Sequence, residues 1–230
     1  MSDSLLDHVE SHSVAVGKRR LPGTLNVPLK ASGLVIFAHG SGSSRNSPRN
    51  IEVAEALNGL GLATLLFDLL EPAEEVLNNR ARVFDIELLA SRVVDAVRWS
   101  QRQPALNGLP LGLFGASTGA AAALVAASQL KDRVAAVVSR GGRPDLAGKA
   151  LPNVRAPTLL IVGGHDHSVV QLNERALSEM RCEKALEIIP GATHVFPEPG
   201  AMKHVTRLAA QWFIRHLHSS GGQTDAVRQS

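Results

Sequence analysis

Leu111-Gly112-Leu113-Phe114-Gly115-Ala116-Ser117-Thr118-Gly119-Ala120-Ala121-Ala122-Ala123 changes character half way along. Leu111–Phe114 reads as a strand, and Thr118–Leu130 reads as an Ala-rich helix. The joint between them, Gly115 to Gly119, fits the pattern G-x-S-x-G with a strand before it and a helix after it. A sharp turn of this kind presses strand and helix together. Glycine two residues before and two residues after Ser117 removes the side chains that would collide. Ala120 to Ala123 let the helix sit close to a sheet. The turn presents the Ser117 hydroxyl outward. It also aims the Thr118 N–H and the positive end of the helix dipole at the place where an oxyanion would form. The competing explanation is a glycine-bounded turn that carries an incidental serine.

Working outward, strand-like and helix-like segments alternate. Leu34–Ala38, Ala63–Phe67, Val134–Ser139, Thr158–Val162 and Ala185–Ile189 are continuous apolar runs, as expected of strands buried on both faces of a parallel sheet. Asn50–Leu60, Val170–Met180 and Met202–Leu217 carry helical periodicity. Arg80–Arg102 reads as one long amphipathic helix with Val83, Ile86, Leu89, Val93 and Val97 on one side. Val9–Val16 and Thr24–Val27 suggest an opening hairpin joined around Pro22-Gly23. The alternation predicts an α/β fold: a mostly parallel central sheet with helices on both faces. No repeat and no internal linker divides the chain, so residues 8–218 read as a single domain. Residues 1–7 and the polar stretch 219–230 read as a flexible N-terminus and a flexible C-terminal tail.

In such a sheet the reactive groups gather at the carboxyl ends of the strands. Gly163-Gly164-His165-Asp166-His167 follows one strand and Pro190-Gly191-Ala192-Thr193-His194 follows the next. Asp166 can accept from a histidine Nδ1–H, and His194 can bridge it to Ser117. Taken alone, Asp166 reads as an Asx turn and His194 as a surface histidine. Together, in the order Ser, Asp, His, they follow the chain order of a nucleophile-elbow hydrolase. His39-Gly40-Ser41-Gly42-Ser43 follows the first buried strand, where a Gly-rich loop can donate a second oxyanion N–H from Ser41 or Gly42. His39 reads chiefly as a ring that holds this loop, with contact to substrate as its functional alternative.

Composition narrows the function classes. Apolar residues make up 44% and charged residues 20%, a globular balance. With six Phe, two Trp and no Tyr, the core must be aliphatic and tyrosine has no catalytic role. The net charge of +3 is spread along the chain, and no basic block interleaved with aromatics suggests nucleic acid as a partner. No apolar run reaches the ~18 residues of a membrane span. The start shows no signal-peptide core, and the single Cys182 cannot form an internal disulfide, so a cytoplasmic location is expected. A histidine-rich metal site is conceivable from His39, His165, Asp166, His167 and His194. However, no H-E-x-x-H or comparable zinc spacing is present, and no metal or cofactor is expected. Cys182 lies between Arg181 and Lys184, which could lower its pKa; a structural thiol is the alternative.

The motifs HGSGSS at 39–44, GASTG at 115–119, GGHD at 163–166 and GATH at 191–194 resemble those of the dienelactone-hydrolase-related α/β-hydrolases, over about Leu34 to Leu217. The resemblance implies the α/β-hydrolase fold. It also implies a serine hydrolase cleaving small carboxylic esters or lactones, with Ser117, His194 and Asp166 as triad and Thr118 with Ser41 or Gly42 as oxyanion hole. The dienelactone enzymes use Cys as nucleophile where this chain has Ser117, so ester-type hydrolysis carries over and a named ester does not. Acyl transfer or perhydrolysis by the same triad, and a binding module that has lost catalysis, remain open alternatives. Many relatives of this fold insert a cap between the strands at Val134–Ser139 and Thr158. Here only Arg140 to Pro157 connects them, so no cap domain and an open site are expected. Arg45 and Arg140 follow strand ends on that rim. They could grip a substrate carboxylate or phosphate, or make structural bonds. Sequence leaves monomer and homodimer equally open.

Overall fold

Eight strands make one sheet in the computed structural model, which describes residues 8–71, 74 and 82–217. In chain order they are β1 Val9–Val16, β2 Leu21–Pro28, β3 Gly33–Ala38, β4 Leu62–Phe67, β5 Leu111–Ala116, β6 Ala136–Arg140, β7 Thr158–Gly163 and β8 Lys184–Ile189. Their order across the sheet is β1-β2-β4-β3-β5-β6-β7-β8. The strands from β4 to β8 run parallel, and β1 and β2 pair antiparallel at one edge. Every residue of β3, β4, β5, β6 and β7 is buried, as continuous apolar runs require when helices cover both faces.

Helices α1 (Pro48–Gly59) and α5 (Ala201–Leu217) cover one face; α2 (Ile86–Ser100), α3 (Thr118–Leu130) and α4 (His167–Glu179) cover the other. With few aromatics, each core is aliphatic, and the Phe37–Phe114 pair (ring centroids 4.9 Å apart) is an exception in the sheet centre. Each buried Leu, Val or Ile contributes about 1.5–3 kcal/mol. Helix α3 is buried on nearly all sides, between the sheet, α2 and the segment after β6, and its run of Ala120 to Ala123 suits that close packing. That segment forms 3₁₀ turns over Pro144–Asn153 packed on α3 and α4, and it builds no cap. Among the described residues no helix is long and apolar enough to cross a membrane.

Several expectations need correction. The β1–β2 turn lies at Gly17–Arg20, where φ is 66° at Gly17 and 55° at Arg20, while Pro22 and Gly23 sit inside β2. Gly23 serves close packing, since a Cβ there would lie 2.8 Å from Val16 Cγ2. The helix expected from Arg80 begins at Ile86, because the Asp85 carboxylate accepts the Leu88 N–H (3.0 Å) and caps it. Residues 80–81, and the ends expected to be flexible at 1–7 and 219–230, lie outside the described residues. Strand β8 is an edge strand, largely exposed, with Ile188 43% accessible.

Gly119 is where α3 approaches the sheet most closely: an added Cβ would lie 2.7 Å from the Ala38 carbonyl carbon and closer still to two carbonyl oxygens. Gly119→Ala must therefore push the helix off the sheet. We expect a loss of at least ~2 kcal/mol in urea unfolding, whereas Gly59→Ala, with nothing within 4 Å, should change little.

Candidate active site

Ser117 occupies the joint between β5 and α3 with φ 51° and ψ −122°, a backbone state that costs a non-glycine residue about 1–3 kcal/mol. The surroundings hold it there. Its N–H donates to the Arg140 carbonyl (3.2 Å), and its own carbonyl accepts from the N–H groups of Ala120 and Arg143 (both 3.1 Å). A Cβ at Gly115 would lie 2.7 Å from Ala120 N, which explains the first glycine of the motif.

Asp166 begins α4, yet its carboxylate does not cap that helix. Its Oδ2 lies 2.6 Å from His194 Nδ1. An ionised carboxylate only accepts, so Nδ1 is the donor in this contact, and the neutral form of that tautomer has its lone pair on Nε2, as a general base would need. The Asp166 side chain is 14% exposed and that of His194 is 42% exposed: the carboxylate is sheltered and the imidazole is open.

The loop from Pro190 to Phe196 brings His194 back across the sheet. The Gly164 N–H donates to Ile189 O (2.8 Å) and the His165 N–H to Ala192 O (2.9 Å). It crosses β7 so tightly that a Cβ on Gly163 would lie 2.6 Å from Thr193 O. Farther on, a Cβ on Gly141 would lie 2.8 Å from His194 O and 3.8 Å from His194 Cε1. Ser117 and His194 thus border the same short segment, residues 140–143. Asn173, fully buried on α4, supports that segment from behind by donating to Gly142 O (3.0 Å).

Two supports of the loop carry no sequence signature. Phe196 is buried with φ 57° and lays its ring 3.4 Å from the Cβ position of Gly141. Glu198 Oε1 accepts from Thr193 Oγ1 (2.6 Å) and from the Thr193 N–H (3.1 Å). Only the folded loop brings these donors together, so neither residue type nor spacing advertises them.

The remaining residues divide. His39 is buried; its Nε2 accepts the Leu69 N–H (2.9 Å) and its Nδ1 faces Gly40 O (2.9 Å). It ties the 39–42 loop to the end of β4, the holding role expected of it, and it also lines the cleft beside that loop. Arg45 is corrected: its guanidinium pairs with Asp68 Oδ2 and its N–H donates to Asp68 Oδ1 (2.8 Å), so an internal acid already holds it. The Ser41 N–H donates to Thr118 Oγ1 (3.0 Å). That contact docks the loop on the elbow and engages one of the amides expected to serve an oxyanion. Arg140 is 7% exposed, and burial, then the charge of Arg49, pushes its pKa down to about 10. Burial also pushes the Cys182 thiol up, overriding Lys184, so the activated thiol is not what the fold makes. Among the described residues no three His, Cys, Asp or Glu side chains group as a metal site would require. Beside the 39–42 loop lies an open cleft, walled on its other side by Leu69, Leu70, Val83 and Leu89.

Residues 24–216 match the Dienelactone hydrolase family. The chain belongs to that family. A dienelactone hydrolase structure from Anabaena variabilis is 55% identical with a TM-score of 0.86, over 91% of this chain and 98% of that one. The α/β-hydrolase architecture follows. Est1E from Butyrivibrio proteoclasticus, 16% identical with a TM-score of 0.73 over 90% of this chain and 98% of that one, shares the fold. A Mycobacterium tuberculosis protein provisionally named a phosphoribosyl transferase is 58% identical over 212 residues, which are 92% of this chain and 47% of that protein. This chain therefore spans about half the length of that relative.

Glu198 gives a pH-dependent test of the loop. Its hydrogen bond from Thr193 holds its carboxyl below the usual carboxylate range. A depressed folded-state pKa means that the tether is complete above the ordinary carboxylate pKa and is lost as pH falls through the lowered value. In Glu198→Gln the Thr193 amide should exchange its hydrogen faster than in the wild type at neutral pH. Equal exchange would show that the carboxylate is not the tether.

Proposed function

We propose that this α/β hydrolase is a serine hydrolase that cleaves small carboxylic esters or lactones through an acyl-enzyme. The observation that carries the proposal is the 2.6 Å contact of His194 Nδ1 with Asp166, made by a histidine that shares the 140–143 border with a serine held in a strained elbow. The step added here is closure of the Ser117 Oγ to His194 Nε2 hydrogen bond when substrate is bound. Ser117 Oγ then attacks the acyl carbonyl while His194 takes its proton, and Asp166 stabilises the imidazolium. His194 returns the proton to the leaving oxygen, and water repeats the sequence on the acyl-enzyme.

The Thr118 N–H, in the unpaired first turn of α3, is one oxyanion donor. With the Ser41 amide engaged by Thr118 Oγ1, Gly42 is the second donor in this reading, and each is worth about 3 kcal/mol of barrier. The cleft beside the 39–42 loop, with its apolar wall of Leu69, Leu70, Val83 and Leu89, is where a small acyl or alcohol group would lie in this reading. The short β6–β7 connection leaves the site without a cap from that side. A 33% identical Carboxymethylenebutenolidase of Pseudomonas putida, matched over 48% of this chain and 48% of that protein, supports lactones as a substrate class. The transferase name belongs to a protein of which this chain covers 47%, and it does not decide the chemistry of this part.

Ser117→Ala should lower ester turnover at least ~10³-fold. A fluorophosphonate probe should label the wild type on Ser117 and leave that variant unlabelled. A folded, purified Ser117→Ala protein with unchanged turnover would end this mechanism. Labelling at no residue would instead favour a fold retained without catalysis.

A further inference from the structure

We propose that Asp68 is a positioning residue for the reaction: with Leu69 it clamps the 39–45 loop from the side away from Ser117, and so sets where the Gly42 amide stands in the transition state. The inference deepens the hydrolase reading and rests on it. The loop leaves β3 at His39 and leads to α1, which opens on Pro48. One side of it is fitted to the elbow. A Cβ on Gly40 would lie 3.0 Å from Ser117 Cβ and 3.0 Å from the Ala116 carbonyl oxygen, and the Ser41 N–H donates to Thr118 Oγ1 (3.0 Å). The tip folds back on itself. The Ser43 N–H donates to Gly40 O (3.2 Å), and Gly42 takes φ 69°, a left-handed state that glycine adopts without steric cost. Beyond its chain neighbours nothing lies within 4 Å of a Cβ built on Gly42, so the tip has no packing on that side to hold it.

The other side is held by the corner that follows β4. Strands β4 and β5 flank β3 in the sheet, so this corner and the elbow face the loop from opposite sides. At the start of the loop the Leu69 N–H donates to His39 Nε2 (2.9 Å). At its end Asp68 uses both carboxylate oxygens on one residue: Oδ1 accepts the Arg45 N–H (2.8 Å) and Oδ2 accepts from the Arg45 guanidinium. A carboxylate that takes a main-chain donor and a charged side-chain donor together fixes the backbone at that point. The corner is itself anchored. The Asp68 N–H donates to Pro22 O on β2 (3.0 Å), and Leu69 and Leu70 are buried in the core. The 39–45 loop thus runs between two grips on one fixed corner, with Gly42 in the middle of the span. A catalytic donor has to stand within about 0.5 Å of its productive place, and a 1 Å displacement can cost ~10²-fold in rate. The amide is needed most where negative charge develops, so loosening the grip at Arg45 weakens transition-state binding more than substrate binding.

The test follows hydrolysis of 4-nitrophenyl butyrate by the full chain. Asp68→Ala should lower kcat about tenfold or more and leave KM within about twofold. Arg45→Ala keeps the backbone donor and should lose less, and the double variant should be no slower than Asp68→Ala alone. Asp68→Asn keeps an acceptor for the Arg45 N–H and should recover part of the rate; it carries the test if Asp68→Ala fails to fold. Two inhibitors separate positioning from a general structural role. Ser117 Oγ adds to the carbonyl of trifluoromethyl propyl ketone and passes its proton to His194, which leaves an oxyanion on the adduct; methyl propyl ketone binds without forming one. In Asp68→Ala the fluorinated ketone should weaken by the factor lost in kcat/KM, and the plain ketone should keep its affinity. Hydrogen exchange supplies a readout independent of turnover: the Ser41 and Ser43 amides should exchange faster in Asp68→Ala than in the wild type. Unchanged kcat in the folded Asp68 variants, equal weakening of both ketones, or equal exchange overturns the clamp. Absence of turnover and of fluorophosphonate labelling in the wild type would count against the hydrolase reading, and the exchange comparison would still decide whether Asp68 sets the loop.

Discussion

The Asp166–His194 hydrogen bond exists only because a loop crosses the end of β7 at backbone contact distance. His194 leaves the sheet after the edge strand β8, three strands away from β5. Only Gly163, with no Cβ, lets the Ala192 and Thr193 carbonyls pass over it. Glu198 and Phe196 then hold the loop down, and Gly141 receives it. The elbow at Ser117 obeys the same constraint from the other side. It keeps a strained backbone because Arg140 and Arg143 bond its peptide groups. Residues 140–143 are therefore the common floor of Ser117 and His194, and Asn173 props that floor from α4.

Charge is distributed around this floor with evident differences in role. Arg45 and Arg143 are held by internal acids and act as loop pins. Arg140 has no such acid: it donates to Asn50 Oδ1 instead, and burial lowers its pKa. Near neutrality overall, a chain of net charge +3 creates its local field by arrangement rather than by composition.

The architecture was legible wherever one physical rule dominated. Continuous apolar runs mark the buried parallel strands, and the elbow motif marks the β5–α3 joint because both of its glycines answer real collisions. Asp166 and His194 were legible from their places at strand ends. The β1–β2 turn misled because Pro-Gly signals a turn by local preference, whereas Gly23 answers a packing demand set by Val16 on the neighbouring strand. The start of α2 was misplaced because periodicity extends upstream of the Asp85 cap. Arg45 and Ser41 looked available to a ligand because sequence does not show that Asp68 and Thr118 fold onto them. Glu198 and Asn173 escaped notice for the same reason: their partners are loop backbone groups assembled only in three dimensions.

The central claim is that Ser117 and His194 act as one catalytic unit. Ester turnover by Ser117→Ala, His194→Ala and the double variant tests it most directly, because groups that work as a unit are strongly non-additive. The account predicts that the double variant is no slower than the slower single variant. Losses that multiply in the double variant would show two independent contributions and contradict it.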